Sequence, residues 1–352
     1  MPHIKAVSGV NLPFKVPQQD VKGQARALFA GNVEHADRLL QAFDNTGIIT
    51  RNFVKPIEWY GESNTFEQRN NDYIDIALQY SIQATEQALK EAGVNKDQLT
   101  DIIFVSTTGL ATPSIDALII NKMRLPEHIN RLPVWGLGCA GGVAGVARAA
   151  AIAKANPDAA VLLVAVELCS LTLIKNDYSK SNFIGSSLFS DGIAACIITG
   201  DNHGNGNKQL TVKANSSKLY YDALDVMGWD FRDDGFKVVF SKDIPTIINK
   251  YIKDDIDQFL KKQGVQLSDI SNFIFHPGGR KVLEAYMGAL HIDDAQLANT
   301  RDVMTENGNM SSVTVLYVLE RFLKQGFVDG LGLMLAMGPG FSSEMLLLDM
   351  KN

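Results

Sequence analysis

Residues 89–104 read LKEAGVNKDQLTDIIF, and residues 260–275 read LKKQGVQLSDISNFIF. The two stretches align without a gap, so each has a helix-forming segment, a glycine, a short polar loop and an apolar run in the same order. Gly93 and Gly264 stand where a glycine in the left-handed conformation ends a helix. The apolar runs are rich in Ile and Phe, which favour buried strands. We therefore predict one helix–loop–strand unit that occurs twice in the chain.

Two further matches follow in the same order at nearly the same offset. Gly138-Cys139-Ala140 corresponds to Gly308-Asn309-Met310, and residues 161–164 (VLLV) correspond to residues 331–334 (LGLM). Matches in one order favour duplication of a whole lobe, although any two strand–helix units share some similarity. The lobes are predicted at 1–205 and 206–352, because the segment DNHGNGNKQ between them is polar and glycine-rich.

Short apolar runs alternate with helix-patterned segments along the chain. The runs that predict strands are 102–106, 161–166, 193–199, 272–276 and 331–337. The segments that predict helices are 74–92, 140–155, 245–263 and 311–325. Alternation of this kind is typical of α/β proteins with a mostly parallel sheet, so the predicted fold class is α/β.

Composition excludes several classes of protein. The 352 residues are 46% hydrophobic and 20% charged, which suits a large core and excludes a disordered chain. The formal net charge of -6 and the lack of a basic tract argue against nucleic-acid binding. No apolar run approaches a membrane span, and the first residues lack the layout of a signal peptide. Three cysteines are few for a secreted disulfide scaffold, so we expect a cytoplasmic protein.

Cys139 is the first candidate for chemistry. It lies between glycines in Trp135-Gly136-Leu137-Gly138-Cys139-Ala140-Gly141-Gly142, before an alanine-rich helix. The positive end of a helix favours a thiolate, so Cys139 is a candidate nucleophile. A small buried residue in a tight turn is the alternative. Cys169 and Cys196 lie in apolar, strand-like surroundings that favour inert cysteines.

His276 and Asn309 are the other two candidates. His276 ends an apolar run and is followed by Pro277-Gly278-Gly279, and the active sites of α/β sheets gather at such strand ends. Asn309 occupies the second-lobe position of Cys139, and a pseudo-twofold axis would bring the two helix starts to one centre. A hydrogen-bonded histidine and a helix cap are the structural alternatives. No H-x-x-x-H or C-x-x-C spacing occurs, so no metal site is expected.

Four motifs stand in order along the chain: Gly138-Cys139-Ala140-Gly141-Gly142, His276-Pro277-Gly278-Gly279, Gly308-Asn309-Met310-Ser311-Ser312 and Gly338-Pro339-Gly340-Phe341. They resemble the signatures of type III polyketide synthases, the chalcone synthase-like enzymes of the thiolase superfamily. The resemblance runs from about Asp37 to the C-terminus. Residues 227–230 (MGWD) and 238–245 (VVFSKDIP) resemble the bacterial branch that makes alkylpyrones or alkylresorcinols more than the plant enzymes.

The resemblance implies a thiolase-like five-layered αβαβα fold built from the two lobes, and a homodimer. It implies that Cys139 holds the acyl and growing polyketide chains as thioesters, with His276 paired to it as imidazolium. His276 and Asn309 would bind the thioester carbonyl of malonyl-CoA. Loss of CO₂ generates the carbanion, and two N–H donors stabilise the developing oxyanion. The substrates are CoA thioesters, so no further cofactor is expected.

The resemblance also assigns residues to the substrate pocket. They are Phe189, Thr112, Cys169, Thr172, Val238, Gly338, Pro339 and Gly340. Thr112 stands where plant enzymes carry a bulkier methionine from the partner subunit, and Val238 where they carry a second phenylalanine. Because these side chains are smaller, we expect room for a medium- to long-chain fatty acyl starter, unless neighbouring side chains refill the volume.

The phosphates of CoA require a basic mouth to this pocket. Arg51 lies in the region where the family uses Lys and Arg for that contact, and Arg280 and Lys281 follow the His-Pro-Gly-Gly turn. Solvated surface charge is the alternative for all three.

The predicted reaction is iterative decarboxylative Claisen condensation of malonyl-CoA onto an acyl-CoA starter, followed by closure to an alkylpyrone or alkylresorcinol. A single-round ketoacyl synthase of the same superfamily is one alternative, although those enzymes usually follow the histidine with a Gln-Ala-Asn-like run. Another is an enzyme that builds naphthalene-type aromatics from malonyl units alone. A papain-like Cys-His-Asn hydrolase lacks the doubled architecture, and a non-catalytic acyl-CoA-binding module leaves the three candidate residues unexplained.

Overall fold

The computed structural model describes residues 1–29, 36–204, 209–241 and 243–352. Its strands are β1 (His3–Gly9), β2 (Phe14–Pro17), β3 (Thr50–Phe53), β4 (Asp101–Ser106), β5 (Asn130–Trp135), β6 (Ala160–Leu168), β7 (Asp191–Thr199), β8 (Gln209–Leu219), β9 (Met227–Arg232), β10 (Gly235–Phe240), β11 (Ile270–Phe275), β12 (Gly330–Gly338) and β13 (Ser342–Lys351). Its α-helices are α1 (Gln18–Phe29), α2 (Ala36–Asn45), α3 (Phe66–Ala92), α4 (Ile115–Met123), α5 (Gly141–Ala155), α6 (Lys180–Leu188), α7 (Ile244–Lys262), α8 (Arg280–Leu290), α9 (Ala298–Asn307) and α10 (Thr314–Gln325).

Nine strands of the described chain form one mixed sheet in the order β11-β12-β13-β8-β1-β7-β6-β4-β5. The strands β4, β6, β7 and β1 pair in the same pattern as β11, β12, β13 and β8: one parallel contact, then two antiparallel contacts. The two halves join only where His3 and Ile4 pair with Thr211 and Leu210. The pairing therefore displays the predicted duplication, with β5 added to the first half. The lobe boundary predicted between residues 205 and 206 lies outside the described residues.

Alternate side chains of each strand face different helical layers. Leu163 of the first half and Met334 of the second face α5 and α10 in a shared central core. Leu162 faces α3 and α4 on the outer side of the first half, and Leu333 faces α7 and α8 on the outer side of the second. The layers are thus helix, sheet, helix, sheet, helix, and the predicted αβαβα arrangement is confirmed.

Both copies of the repeated unit end their helix in the same way. Gly93 and Gly264 have φ values of 65° and 70°, and the valine after each glycine donates its N–H to the leucine carbonyl five residues before it. This geometry is the predicted left-handed helix end. The predicted strands and helices all occur with shifted bounds. The largest shift is in α3, which begins at Phe66 because Thr65 forms a capping box with Gln68.

The expectation of a mostly parallel sheet is wrong. Three of the strand pairs in the large sheet are parallel and five are antiparallel. Residues 339–341 form a tight turn between β12 and β13, and strands joined by so short a connection must run antiparallel. His276 follows β11 directly. It therefore lies at the end of the sheet where the parallel strands β11 and β12 both finish.

Candidate active site

Cys139 lies in a single 3-10 turn (Gly138–Ala140) directly before α5. Close packing fixes this turn. A Cβ at Gly138 would lie 2.6 Å from the Pro339 side chain, and a Cβ at Gly338 would lie 2.3 Å from the Leu137 carbonyl oxygen. The turn between β12 and β13, which belongs to the second lobe, therefore packs on the turn that carries Cys139.

Asn309 stands at the matching place in the second lobe, just before α10. Its Nδ2–H donates to the Gly278 carbonyl at 2.8 Å, and its Oδ1 accepts from the Ser311 N–H at 2.9 Å. Gly278 belongs to the segment that follows His276. The Sγ of Cys139 lies 3.6 Å from the Oγ of Ser311. Ser311 and Gly278 thus connect Cys139, Asn309 and the segment that follows His276.

The His276 side chain has no described hydrogen-bond partner. The side chain is buried, and neither Nδ1 nor Nε2 bonds to a residue in the described part of the chain. Burial lowers the pKa of His276 to about 3. Buried polar groups in proteins are nearly always paired, so the unpaired imidazole at a strand end keeps His276 a candidate functional residue.

Burial also shifts the pKa of the Cys139 thiol. It raises the pKa of Cys139 to about 12, against the Ser311 hydrogen bond and with a smaller contribution from the Glu167 carboxylate. Burial therefore favours the neutral forms of both Cys139 and His276. A thiolate–imidazolium pair between them depends on direct attraction between the two charges.

Glu167 is a buried carboxylate next to the candidate site, and it was not predicted from the sequence. It lies in β6, fully buried, and its Oε1 accepts from the hydroxyls of Ser312 at 2.7 Å and Thr107 at 3.1 Å. Burial raises its pKa to about 7. Glu167 therefore ties the start of α10 to the end of β4 next to Cys139. A lone carboxylate near the end of a continuous apolar run is the sequence signal that marks it.

An apolar cavity lies beside Phe189, at the end of α6. Its lining includes four of the predicted pocket residues, Phe189, Cys169, Thr172 and Val238. Apolar side chains from α1, β3 and the β9–β10 hairpin form much of the remaining wall: Val21, Ala25, Leu28, Phe29, Phe53, Trp229 and Phe236. The open space is about 70 Å³, far less than a fatty acyl chain occupies. Neighbouring side chains therefore fill much of the volume.

The other predicted pocket residues lie elsewhere. Thr112 is exposed and is outside the lining of this cavity. Gly338 and Pro339 contact the Cys139 turn, as described above, and Gly340 turns the chain into β13 with a φ of 72°. These three residues thus lie at the turn that packs on the Cys139 turn, and they do not line the cavity.

A basic cleft of about 530 Å³ lies on the other side of Leu188. Gly278 and Gly279 form part of its wall, and its described lining includes four cations and no carboxylate. The cations are Arg38, Lys180, Arg280 and Lys281. The structure thus places Arg280 and Lys281 together at a cleft beside the His276 segment. Arg38 and Lys180 were missed, because only the fold brings α2 and α6 to the start of α8.

Arg51 does not lie at this cleft, and its predicted contact with CoA phosphates does not fit the structure. The side chain is 0% exposed. Its Nη1–H groups donate to the backbone carbonyls of Ser186 at 2.7 Å and Phe189 at 2.8 Å. Two phenylalanine rings and the end of α6 shield the guanidinium from the surface, so it lines the apolar cavity instead.

Asn309 lies between the cavity and the cleft. Asn309 donates its backbone N–H to the Leu188 carbonyl at 3.0 Å, and its own carbonyl accepts from the Ser190 N–H at 2.8 Å. Leu188 lines the basic cleft and Phe189 lines the apolar cavity. A polar group bound in the cleft and an apolar group in the cavity would thus flank Asn309.

Comparison with known proteins defines the family. Residues 55–202 match the N-terminal domain of chalcone and stilbene synthases, and residues 213–351 match the C-terminal domain. A Bacillus subtilis (strain 168) protein named "Putative chalcone synthase" is 43% identical over 351 residues, 96% of each chain. The 1,3,6,8-tetrahydroxynaphthalene synthase of Streptomyces peucetius is 37% identical, over 89% of this chain and 84% of its own.

Comparison with solved structures gives the same family. The crystal structure of 1,3,6,8-tetrahydroxynaphthalene synthase from Streptomyces coelicolor A3(2), a bacterial type III polyketide synthase, superposes with a TM-score of 0.94 at 29% identity and covers 99% of both chains. The chain therefore belongs to the chalcone and stilbene synthase family and is a type III polyketide synthase, a transferase with a thiolase-like fold. No helix within the described ranges is long and apolar enough to cross a membrane.

Proposed function

We propose that this synthase loads an acyl group from acyl-CoA onto Cys139 and extends it repeatedly with malonyl-CoA. The observation that carries the proposal is the chain of contacts through Ser311 and Gly278 that links Cys139, Asn309 and the segment after the unpaired His276, with a basic cleft and an apolar cavity on either side of Asn309. Loading forms a thioester to Sγ and breaks the thioester bond of acyl-CoA. The thiol proton passes to His276 as sulfur attacks and then to the departing CoA sulfur.

Extension requires an enolate held next to this thioester. The bond between the malonyl carboxylate and the central carbon breaks, CO₂ leaves, and the electron pair moves toward the thioester oxygen. An N–H of His276 and an N–H of Asn309 stabilise that oxygen. Asn309 keeps one N–H on Gly278 and has a second to donate. The carbanion then attacks the acyl thioester, which frees Sγ and leaves the chain, two carbons longer, as a CoA thioester. Transfer of that chain back to Cys139 with release of CoA starts the next round.

The basic cleft is the proposed site of the CoA phosphates. Arg38, Lys180, Arg280 and Lys281 line it, and no described carboxylate does. Arg280 pairs with Glu284 outside the lining at 3.0 Å, and the other three cations give a positive potential suited to phosphate. Replacing Lys281 and Arg38 with glutamate is expected to raise the KM for malonyl-CoA and to leave kcat nearly unchanged. An unchanged KM would contradict this assignment.

The starter is proposed to be a medium- to long-chain fatty acyl group, closed after extension to an alkylpyrone or alkylresorcinol. The apolar lining from Phe189 to α1 supports this choice, since apolar walls suit an alkyl chain. The small open space requires Phe189, Leu28 or their neighbours to move when the chain enters.

A homodimer is proposed through the face around β5. β5 is an edge strand of the described sheet, and Leu110, Leu132, Trp135 and Phe231 expose apolar side chains on or near it. The Trp135 and Phe231 rings pack 5.7 Å apart. A second copy would cover this patch and receive the exposed Thr112. Leu132→Glu is expected to give a monomer by sedimentation velocity, and a retained dimer would exclude this face.

Synthesis of an aromatic product from malonyl units alone is the second candidate. The two Streptomyces relatives are 1,3,6,8-tetrahydroxynaphthalene synthases. The buried guanidinium of Arg51 in the cavity wall also suits a chain that carries oxygen.

Mass spectrometry of products tests both candidates. The purified protein receives malonyl-CoA with acyl-CoA starters from acetyl to stearoyl and with coumaroyl-CoA, and Cys139→Ala is the control. Triketide or tetraketide pyrones or resorcinols from long starters would support the fatty acyl proposal. Aromatics formed without a starter would replace it with the second candidate. Single-extension products would indicate a one-round synthase. Absence of product and of acylated Cys139 would refute the proposed function.

A further inference from the structure

Arg51 has hydrogen-bond donors that the described protein does not use. Nη1 donates to the carbonyls of Ser186 and Phe189, whereas Nε and Nη2 are buried and have no described partner. The aliphatic part of the side chain packs against the backbone at Gly308, the residue before Asn309. The guanidinium is therefore fixed in place with two of its donor atoms unpaired.

Aromatic rings cover the guanidinium. Its central carbon lies 5.9 Å from the ring centre of Phe43 and 5.2 Å from that of Phe53. Asp191 is near enough to act on its charge, but both Asp191 oxygens accept hydrogen bonds from Ser170. Burial lowers the pKa of Arg51 to about 9, so the group stays charged at neutral pH.

The unpaired donors belong to a wall of the apolar cavity. Arg51 lines this cavity with Phe189 and Cys169, the residues that lie toward Asn309 and Cys139. A saturated alkyl chain offers no acceptor at this position and leaves the donors unpaired. A chain with a carbonyl group on every second carbon does offer one.

On the basis of the proposed function, we propose that Arg51 binds a ketone or enolate oxygen of the growing poly-β-keto chain. The oxygen accepts from Nε–H or Nη2–H and anchors the extended intermediate while the alkyl end lies toward α1. The synthase thereby prefers an extended intermediate to the saturated chain of equal length, which keeps the chain on the enzyme for another round.

Binding measurements on a protein that cannot turn over test this directly. Calorimetric titration of the Cys139→Ala protein uses two probes, the N-acetylcysteamine thioesters of decanoic and 3-oxodecanoic acid. One hydrogen bond from a charged donor is expected to make the 3-oxo thioester bind about tenfold more tightly. Equal affinity of the two thioesters overturns the proposal without reference to any Arg51 variant.

The second arm adds Arg51→Met and measures the same pair. The preference for the 3-oxo thioester is expected to disappear, and a retained preference assigns it to another donor and overturns the proposal. Arg69→Met is the matched control. Arg69 is also buried and donates to two backbone carbonyls, those of Asn64 and Asp234, but it lies outside this cavity. The control is expected to keep the preference.

Product analysis separates this inference from the proposed function. In the otherwise wild-type protein, Arg51→Met is expected to shift products from decanoyl-CoA toward fewer extensions, whereas Arg69→Met is not. If the wild-type protein forms no product from any acyl-CoA, the proposed function fails. If it extends normally and Arg51→Met gives the same distribution of products, only the role of Arg51 fails.

Discussion

Replacing Gly338 with alanine tests whether the turn between β12 and β13 holds Cys139 in place. A Cβ at this position lies 2.3 Å from the Leu137 carbonyl oxygen and 2.9 Å from the Ala140 backbone nitrogen. Ordinary Cβ contacts begin near 3.4 Å, so one of the two turns must move by about 1 Å. Leu137 and Ala140 flank the Cys139 turn, so the thiol moves with them. A misplacement of about 1 Å at a reacting group costs roughly 100-fold in rate.

We therefore expect Gly338→Ala to lower the rate of CoA release from malonyl-CoA about 100-fold. The free energy of unfolding should fall by only about 1–3 kcal/mol, as is typical of overpacking. Gly200→Ala is the matched control, because its Cβ lies 2.4 Å from the Pro157 carbonyl oxygen. Pro157 follows the C-terminal end of α5, about 22 Å from the end near Cys139. A wild-type rate in Gly338→Ala, or an equal rate loss in Gly200→Ala, would refute the reasoning.

Three further predictions concern charge and pocket shape. Burial raises the pKa of Glu167 from 4.5 to about 7, so its contribution to stability is present below pH 4.5 and is lost as the pH rises through 7. Glu167→Gln should reduce that decline in unfolding free energy by about 3 kcal/mol, measured by urea titration at pH 4.5 and 8. If Cys139 and His276 form an ion pair, alkylation of Cys139 by iodoacetamide should be nearly constant from pH 6 to 8, and in His276→Gln it should rise about tenfold per pH unit. A tenfold rise in the wild type would show a neutral thiol. Ala25→Phe should shorten the accepted starter because Ala25 lines the cavity, whereas Ala27→Phe on the exposed face of α1 should not.

The sequence predicts those parts of the fold that depend on neighbouring residues. Gly93 and Gly264 end their helices through local backbone bonds, and the apolar runs form strands because both of their faces are covered. The antiparallel partners β1, β8 and β13 were not predicted, since their pairing joins residues more than 100 positions apart. Duplication was predicted because it leaves a repeated pattern in the sequence itself.

The positions of the charged side chains were harder to predict, because they too depend on contacts between residues distant in the sequence. Arg51 sits in the segment TRNF, which reads as an ordinary polar strand. Its burial depends on Phe43 and on the carbonyls of Ser186 and Phe189, which lie about 135 residues later in the chain. The basic cleft likewise combines α2, α6 and α8. Cys139, His276 and Asn309 could be proposed because each follows a recognisable local pattern of glycine, helix start or strand end.

Duplication also explains why the proposed chemistry lies between the lobes. The two helix starts at Cys139 and Asn309 are equivalent by the repeat, so a pseudo-twofold arrangement brings both to the centre. The two lobes nevertheless carry different residues at equivalent positions: Cys139 corresponds to Asn309, and the ungapped match pairs His276 with Val105. Each lobe supports the other's half of the site, since Pro339 of the second lobe packs on Gly138 of the first and Glu167 of the first binds Ser312 of the second. A perturbation at either contact should therefore affect the site across the lobe boundary, which is why Gly338 tests the architecture and the proposed chemistry together.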